Sequence, residues 1–178
     1  RLIDPHLLHQ KAGIFSGAHI AVFGAGRTGH MVFPAALSVR SHGSVYAVDI
    51  LKEVLLEIDK RARLDGLHQI HTVWSDVERV GKTHIPEHQL SAVFIVNLLS
   101  KMSLPKEVLQ EAERLLADKS RLVIVDWNME STLPFAPAKE KRIRMQDIAE
   151  LAKPIGFAVQ EFFSAGDHHD GVVLYLSR

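Results

Sequence analysis

The chain has 178 residues, of which 47% are hydrophobic, so it is long enough for one sizeable core and we predict a single domain over residues 1–178. Its 21 Lys plus Arg balance 21 Asp plus Glu, which argues against nucleic acid and anionic membranes as partners and favours a small molecule. It has no cysteine, which excludes disulfides, thiolate nucleophiles and cysteine metal sites and suggests a cytoplasmic location.

Helix-like and strand-like segments alternate along the first half of the chain. A leading helix is predicted at about residues 4–13, with Asp4 as N-cap, Pro5 at its first position and Gly13 at its end. A strand at residues 18–24 precedes a helix at residues 27–43 that contains Pro34. A strand at 44–49 then leads to a helix at 50–66, whose apolar face includes Leu51. This alternation is typical of a parallel sheet covered by helices on both faces.

The second half continues the alternation and then departs from it. The predicted strands lie at residues 70–75, 91–99 and 121–127, with a helix at 105–118. The longest apolar run, residues 90–99, is about half as long as a membrane helix. A proline-rich connection at 131–144 and a helix at 145–156 lead to two extended runs at 157–166 and 171–178. The short link "DHHDG" leaves no room for a crossover helix, so we expect these two runs to form an antiparallel hairpin.

A glycine motif follows the first predicted strand. The glycines of "GAGRTG" have the spacing G-x-G-x-x-G at the start of a helix, and Asp49 ends the next strand. Glycines let a ligand approach the backbone closely, and a helix N-terminus offers free N–H groups to an anion. A carboxylate at the position of Asp49 can accept hydrogen bonds from both hydroxyls of a ribose. The motif therefore indicates an adenosine with an acidic group attached, and either a pyrophosphate or an amino-acid carboxylate satisfies it.

The order of the segments resembles that of the class I S-adenosylmethionine-dependent methyltransferases. The resemblance runs from "LIDPHLL" through "IAVFGAGRTGHMVFPAA", "SVYAVDI", "TVWSD", "LSAVFIVNLLSKM" and "SRLVIVDWN" to "MQDIAELAKPIGFAVQEFF" and the closing hairpin. It implies an α/β fold, a Rossmann-like three-layer α/β/α sandwich. Its seven-stranded sheet would be mostly parallel, with an antiparallel C-terminal strand. Dinucleotide dehydrogenase domains lack that antiparallel strand.

The resemblance also implies a function and a site. The cofactor would be S-adenosylmethionine, and its methyl group would pass to an unidentified acceptor, which we expect to be a small molecule. The acceptor would enter near residues 97–101 and 126–128, under a lid at residues 130–139; no catalytic residue is assigned, and a homodimer is left open. The implied cofactor-binding residues are Gly24, Ala25, Gly26, Gly29, Asp49, Ile50, Asp76 and Asn97.

Two departures from the family's pattern keep other functions open. The glycine turn is one residue longer than usual, and Val22 stands where the family usually has an acid that holds the methionine amino group. Arg27, inside the turn, suits a phosphate. One alternative is therefore an NAD(P)-dependent oxidoreductase, and another is a non-catalytic binding protein with the methyltransferase fold.

Several candidate residues have structural alternatives. Asp76 is equally well explained as the cap of the following turn, and Asn97 as the end of its strand. Trp74 and Trp127 are more typical of a core than of a pocket. We predict no metal site, because "DHHD" at residues 167–170 reads as a solvated turn and Pro86 separates His84 from His88.

Overall fold

The computed structural model describes residues 3–178, so Arg1 and Leu2, which the predicted domain includes, lie outside the described residues. In this part of the chain, seven strands form one sheet in the order β3-β2-β1-β4-β5-β7-β6. Strands β1 to β5 pair in parallel, whereas β7 runs antiparallel to both β5 and β6. The predicted Rossmann-like architecture with an antiparallel C-terminal strand is confirmed. The strands are β1 His19–Phe23, β2 Ser44–Asp49, β3 Ile70–Trp74, β4 Leu90–Val96, β5 Leu116–Trp127, β6 Phe157–Ser164 and β7 His169–Leu176.

Within residues 3–178, five α-helices cover the two faces of this sheet. A separate apolar cluster lies on each face, one including Leu8, Ile20 and Phe94 and the other including Phe23, Ile95 and Leu109. No helix among residues 3–178 has the length and apolar character that crossing a membrane requires. The helices are α1 Pro5–Ala12, α2 Val32–Val39, α3 Lys52–Leu64, α4 Pro105–Leu115 and α5 Met145–Ala152.

The ends of α1 follow local sequence chemistry. The carboxylate of Asp4 accepts a hydrogen bond from the backbone N–H of His6 at 3.0 Å, and Pro5 occupies the first helical turn. Gly13 ends the helix in the left-handed conformation, with φ of 66°. The predicted start and end of this helix are confirmed.

Helices α2 to α5 are all shorter than predicted, and α4 ends at Leu115 and not at residue 118 because β5 begins directly after it. Helix α2 begins at Val32 and not at residue 27, because the stretch before it forms the glycine turn, in which Gly26 and Gly29 have positive φ. Pro34 therefore lies in the first turn, where a proline leaves no intrahelical hydrogen bond unmade. Leu51 precedes α3 as its N-cap and is exposed, so its assignment to the apolar face was wrong.

The closing hairpin differs from its prediction in where its last strand starts. Strand β7 begins at His169, and the turn covers only residues 165–168. His169 has no exposed surface, so "DHHD" is not a solvated turn throughout. Trp74, expected in the core, is 57% exposed, because β3 is an edge strand and the residue stands at its end.

A tight backbone approach at Gly43 gives a first prediction. A Cβ at this position would lie 2.5 Å from the carbonyl oxygen of Ala18 and 2.5 Å from Cβ of Val39. Because a backbone oxygen cannot move aside, we expect Gly43→Ala to lower the free energy of unfolding by about 2 kcal/mol. Urea unfolding measures this, with exposed Ser41→Ala as the control. Equal stability of the two variants would contradict the prediction, because it would mean that the backbone around Gly43 can shift to accommodate a Cβ.

Candidate functional site

The carboxyl ends of β1, β2 and β4 meet at one edge of the sheet, where the glycine turn begins. The N–H groups of Gly24 and Ala25 both donate to the carbonyl of Val48, at 2.9 and 3.0 Å, which fixes the turn against β2. Gly26 has φ of +74°, and a Cβ placed on it would meet no atom within 4 Å. Its backbone therefore faces open space, where a ligand can approach it closely.

Asp49 ends β2 and its carboxylate faces this turn. One oxygen accepts a hydrogen bond from the N–H of Gly26 at 3.2 Å, and the other accepts from the N–H of Leu51 at 3.0 Å. The side chain is half-buried. A carboxylate has about four lone-pair sites, so two hydrogen-bond positions stay available to a ligand.

Asp76 follows β3 and has two structural roles at once. Its carboxylate accepts a hydrogen bond from the N–H of Glu78 at 3.0 Å. Asp76 therefore caps the turn, which was the structural alternative to its binding a cofactor. It also lines a cavity of about 150 Å³ together with Asp49, Ile50 and the apolar side chains of Leu98 and Met102. Met102 was not predicted as a site residue, and Leu98 was predicted only near the entrance of the acceptor, within residues 97–101. Their place in the segment that follows β4 is the signal that could have assigned both to the cofactor.

Asn97 ends β4 in a left-handed conformation, with φ of 53°. Its backbone N–H donates to the carbonyl of Val125 at 2.9 Å, so it does terminate the strand. Its side-chain oxygen Oδ1 is buried and has no hydrogen-bond partner among residues 3–178. A buried acceptor without a partner is costly unless a ligand or water supplies the hydrogen bond.

The two cavities at this edge both have Gly24 in their lining, and we refer to them together as the cleft. The second cavity, of about 370 Å³, lies between the glycine turn and Asn97. Seven of the eight predicted site residues thus line the cleft, whereas Gly29 donates to the carbonyl of Gly26 at 3.1 Å and lines a neighbouring groove between the helices. The second cavity is lined by Ile3, Gly24, Ala25, Gly26, Thr28, His30, Met31, Val96 and Asn97.

A buried carboxylate also lies beside the predicted entrance of the acceptor. Asp126 has no exposed surface, and it accepts hydrogen bonds from the N–H groups of Ser100 at 3.1 Å and Trp127 at 2.8 Å. Burial raises the pKa of Asp126 above its usual value, and these hydrogen bonds offset part of that increase. The carboxylate ties the ends of β4 and β5 together.

No group of three or more His, Asp or Glu side chains that could hold a metal ion occurs within residues 3–178. In the "DHHD" segment, His168 bonds to the hydroxyl of Ser131 at 3.0 Å while His169 is buried beside Trp127. The neighbouring histidines thus have different surroundings.

Comparisons with known proteins agree with this fold. Residues 20–165 match the family model described as a methyltransferase domain. No match is found among curated proteins. Two similar solved structures are a SAM-dependent methyltransferase from Aquifex aeolicus and a putative type 11 methyltransferase from Sulfolobus solfataricus. The first is 20% identical with a TM-score of 0.86, and the match covers 98% of this chain and 90% of that protein. The second is 22% identical with a TM-score of 0.78, and the match covers 100% of this chain and 95% of that protein.

A third similar structure contains a ligand. It is a geranyl diphosphate methyltransferase in complex with SAM, with 15% identity, a TM-score of 0.76, and coverage of 98% of this chain and 84% of its own. At these identities the structural likeness establishes the fold.

Proposed function

We propose, since this chain belongs to the methyltransferase domain family, that it binds S-adenosylmethionine and transfers the methyl group to a small-molecule acceptor. The observation that carries the proposal is the cleft at the carboxyl ends of β1, β2 and β4, with Asp49, the bare backbone of Gly26 and the unpaired oxygen of Asn97 along it. The acceptor's identity, a homodimer and a cytoplasmic location stay predictions from the sequence.

The polar groups of the cleft suit the parts of this cofactor. We assign the free lone pairs of Asp49 to the ribose hydroxyls and the small cavity beside Ile50 and Asp76 to the adenine. The glycine turn would lie against the methionine part at Gly26, because a Cβ placed there would meet no atom within 4 Å. Leu98 and Met102 add an apolar surface for the base.

The missing acid at Val22 changes how the methionine amino group would be held. Val22 is 1% exposed and belongs to the core, and the residues lining the adjoining cavity include no Asp or Glu. The oxygen of Asn97 is an unpaired acceptor in the same cavity, and an ammonium group would satisfy it. We therefore assign to Asn97 the role that the acid has elsewhere in the family.

The bound cofactor would supply an electrophilic methyl group, so the protein mainly has to orient an acceptor and exclude water. The loop at residues 128–142 is suited to covering the acceptor. Arg142 donates hydrogen bonds to the carbonyls of Asn128 at 3.0 Å, Ser131 at 2.8 Å and Pro137 at 2.9 Å, which holds the loop in one shape. For the loop to open, Arg142 has to release these carbonyls.

One thermal-shift experiment separates the proposal from its two alternatives. At about 100 times its dissociation constant, S-adenosylmethionine is expected to raise Tm by about 5 °C, whereas NADH is expected to leave it unchanged. The spacing G-x-G-x-x-G favours the dinucleotide alternative, and Val22 favours a non-catalytic protein. A shift with NADH alone would therefore support an oxidoreductase. The absence of a shift with either ligand would support a binding protein without cofactor.

A further inference from the structure

A groove on the outer side of α2 is not used by the proposed cofactor site. Its volume is about 550 Å³, which exceeds that of either cavity of the cleft and lies in the range of pockets that bind small molecules. Its walls come from the end of the glycine turn and from α1, α2 and α3, which cover the same face of the sheet. We refer to it as the outer groove.

The floor of the outer groove is apolar and comes from α2. Phe33, Pro34 and Leu37 contribute to it. Phe33 is nearly buried, and its ring packs so closely on Gly29 that a Cβ there would lie 2.5 Å from it. Leu37 is 67% exposed. A single exposed leucine is ordinary on a protein surface, but one that lines a cavity beside Pro34 and Phe33 offers apolar area for a ligand to bury.

One wall of the outer groove carries a guanidinium that is held in place. The carbon Cζ of Arg61 lies 3.9 Å from the centroid of the Phe33 ring, and Nη1 donates to the carbonyl of Thr28 at 3.3 Å. A guanidinium has five N–H groups, so this hydrogen bond leaves most of them for a ligand. The Nε of Arg61 is 3.7 Å from a carboxylate oxygen of Asp65, which is too long for a hydrogen bond, and both side chains are more than half exposed.

The charge of the outer groove favours an anion. No Asp or Glu among residues 3–178 lines it, whereas Arg61 gives it a permanent positive charge. Its other polar side chains include His6 and His30, and Nε2 of His30 donates to the carbonyl of Ile3 at 2.9 Å. A cation beside an apolar floor suits an anion that carries an apolar group better than it suits a small, fully hydrated ion.

We propose that the outer groove binds a small carboxylate with an apolar group. The two carboxylate oxygens accept hydrogen bonds from Arg61, because a guanidinium matches a carboxylate in geometry, and the apolar group lies on Pro34 and Leu37. An aromatic acid and a short fatty acid share this chemistry. The ligand is distinct from the proposed cofactor, so the inference goes beyond the proposed function and does not depend on it.

The outer groove borders the cofactor cleft without overlapping it at the glycine turn's open backbone. Thr28 and His30 line both the groove and the larger cavity of the cleft, whereas Gly26 lines only the cleft. The two ligands would therefore lie on opposite sides of a shared wall. We expect them to bind at the same time.

The test measures the binding of four probes by NMR titration of the isotope-labelled protein. The acids 4-phenylbutyrate and hexanoate have both a charge and an apolar group, whereas 4-phenylbutanamide lacks the charge and acetate lacks the apolar group. Titrations yield dissociation constants, and the backbone amides that shift locate the site. The same titrations with excess S-adenosylhomocysteine show whether the two sites are separate.

Two pairs of variants make the test specific to the groove. Arg61→Met removes the charge and keeps an unbranched side chain over Phe33, and its control is Arg63→Met, an exposed arginine of the same helix outside the groove. Leu37→Ala removes part of the floor. Its control is Leu56→Ala, because Leu56 is 68% exposed but does not line the groove.

We expect at least one of the two acids to bind about fivefold or more tightly than both acetate and the amide, with shifts within residues 28–38. Arg61→Met should weaken its binding by about fivefold and Leu37→Ala by about threefold, while both controls bind as the wild type does. The tighter acid identifies the apolar group. The inference is overturned if neither acid binds more tightly than both reference probes, if either groove variant binds as the wild type does, or if S-adenosylhomocysteine displaces the acid, which would place the acid in the cofactor cleft.

Discussion

Replacing Asp49 with alanine is expected to weaken the binding of S-adenosylhomocysteine by more than tenfold. The carboxylate is fixed toward the glycine turn by the N–H groups of Gly26 and Leu51. It is therefore already oriented for the ribose hydroxyls, and each hydrogen bond to a charged acceptor contributes about 1.5 to 3 kcal/mol. Two lost bonds exceed the 1.4 kcal/mol that corresponds to a tenfold change in affinity. Isothermal titration calorimetry measures the effect.

Two further variants make the result specific. Asp49→Asn keeps one acceptor oxygen and the shape of the side chain, so its affinity should lie between those of the wild type and the alanine variant. Asp65→Ala removes an exposed acid at the end of α3 and should leave the affinity unchanged. Unchanged affinity in Asp49→Ala, with a wild-type Tm, would refute the assignment of this residue to the ribose.

The parts of the fold that the sequence predicted best are those with local signals. Asp4, Pro5 and Gly13 identify α1 because each acts through its own backbone or its nearest neighbours. The start of α2 was wrong because residues 27–31 have helical spacing but belong to the glycine turn. The start of β7 was missed because His169 and Asp170 are polar residues in strand positions, where only the pairing with β5 reveals their structure.

The candidate site was predictable where its residues stand at strand ends. Gly24, Gly26, Asp49 and Asn97 each follow or end an apolar run, and parallel strands bring such ends together. The sequence carries no local signal for side chains that are buried by segments far away along the chain. Glu111 lies in an amphipathic helix and looks like a surface residue, and the neighbours that bury it come from the loop between β3 and β4.

Glu111 is the centre of a network that holds this loop. Its carboxylate has no exposed surface and accepts hydrogen bonds from the N–H groups of Gly81 at 2.8 Å and Thr83 at 2.9 Å. It also accepts two from the guanidinium of Arg114, at 2.7 and 2.9 Å, and Arg114 in turn donates to the carbonyl of Thr83 at 2.8 Å. The loop that follows Asp76 is therefore fixed to α4.

Glu111→Ala is expected to lower the free energy of unfolding by about 3 kcal/mol, because it leaves Arg114 and two backbone N–H groups without partners. The side chain of Arg114 is 18% exposed, so water can replace part of the hydrogen bonding that Arg114 loses with Glu111. Glu113→Gln, in the same helix, removes a more exposed ion pair with Arg178 and should cost less than about 1 kcal/mol. Chemical unfolding compares the two, and equal losses would contradict a special role for Glu111.

The same carboxylate predicts how stability changes in acid. Burial by itself raises the pKa of Glu111, but the hydrogen bonds from Arg114, Gly81 and Thr83 outweigh it and lower the pKa from 4.5 to about 2. A carboxylate whose pKa is lowered by folding contributes its full stabilisation when the pH is above the pKa of the unfolded state. This contribution, roughly 3 kcal/mol, is lost as the pH falls from about 5 to about 2. In Glu111→Gln, which cannot titrate, the fall in stability over this interval should be smaller by about that amount. Unfolding curves at pH 7, 4, 3 and 2 measure the difference, and parallel losses in both proteins would mean that other carboxylates cause the acid sensitivity.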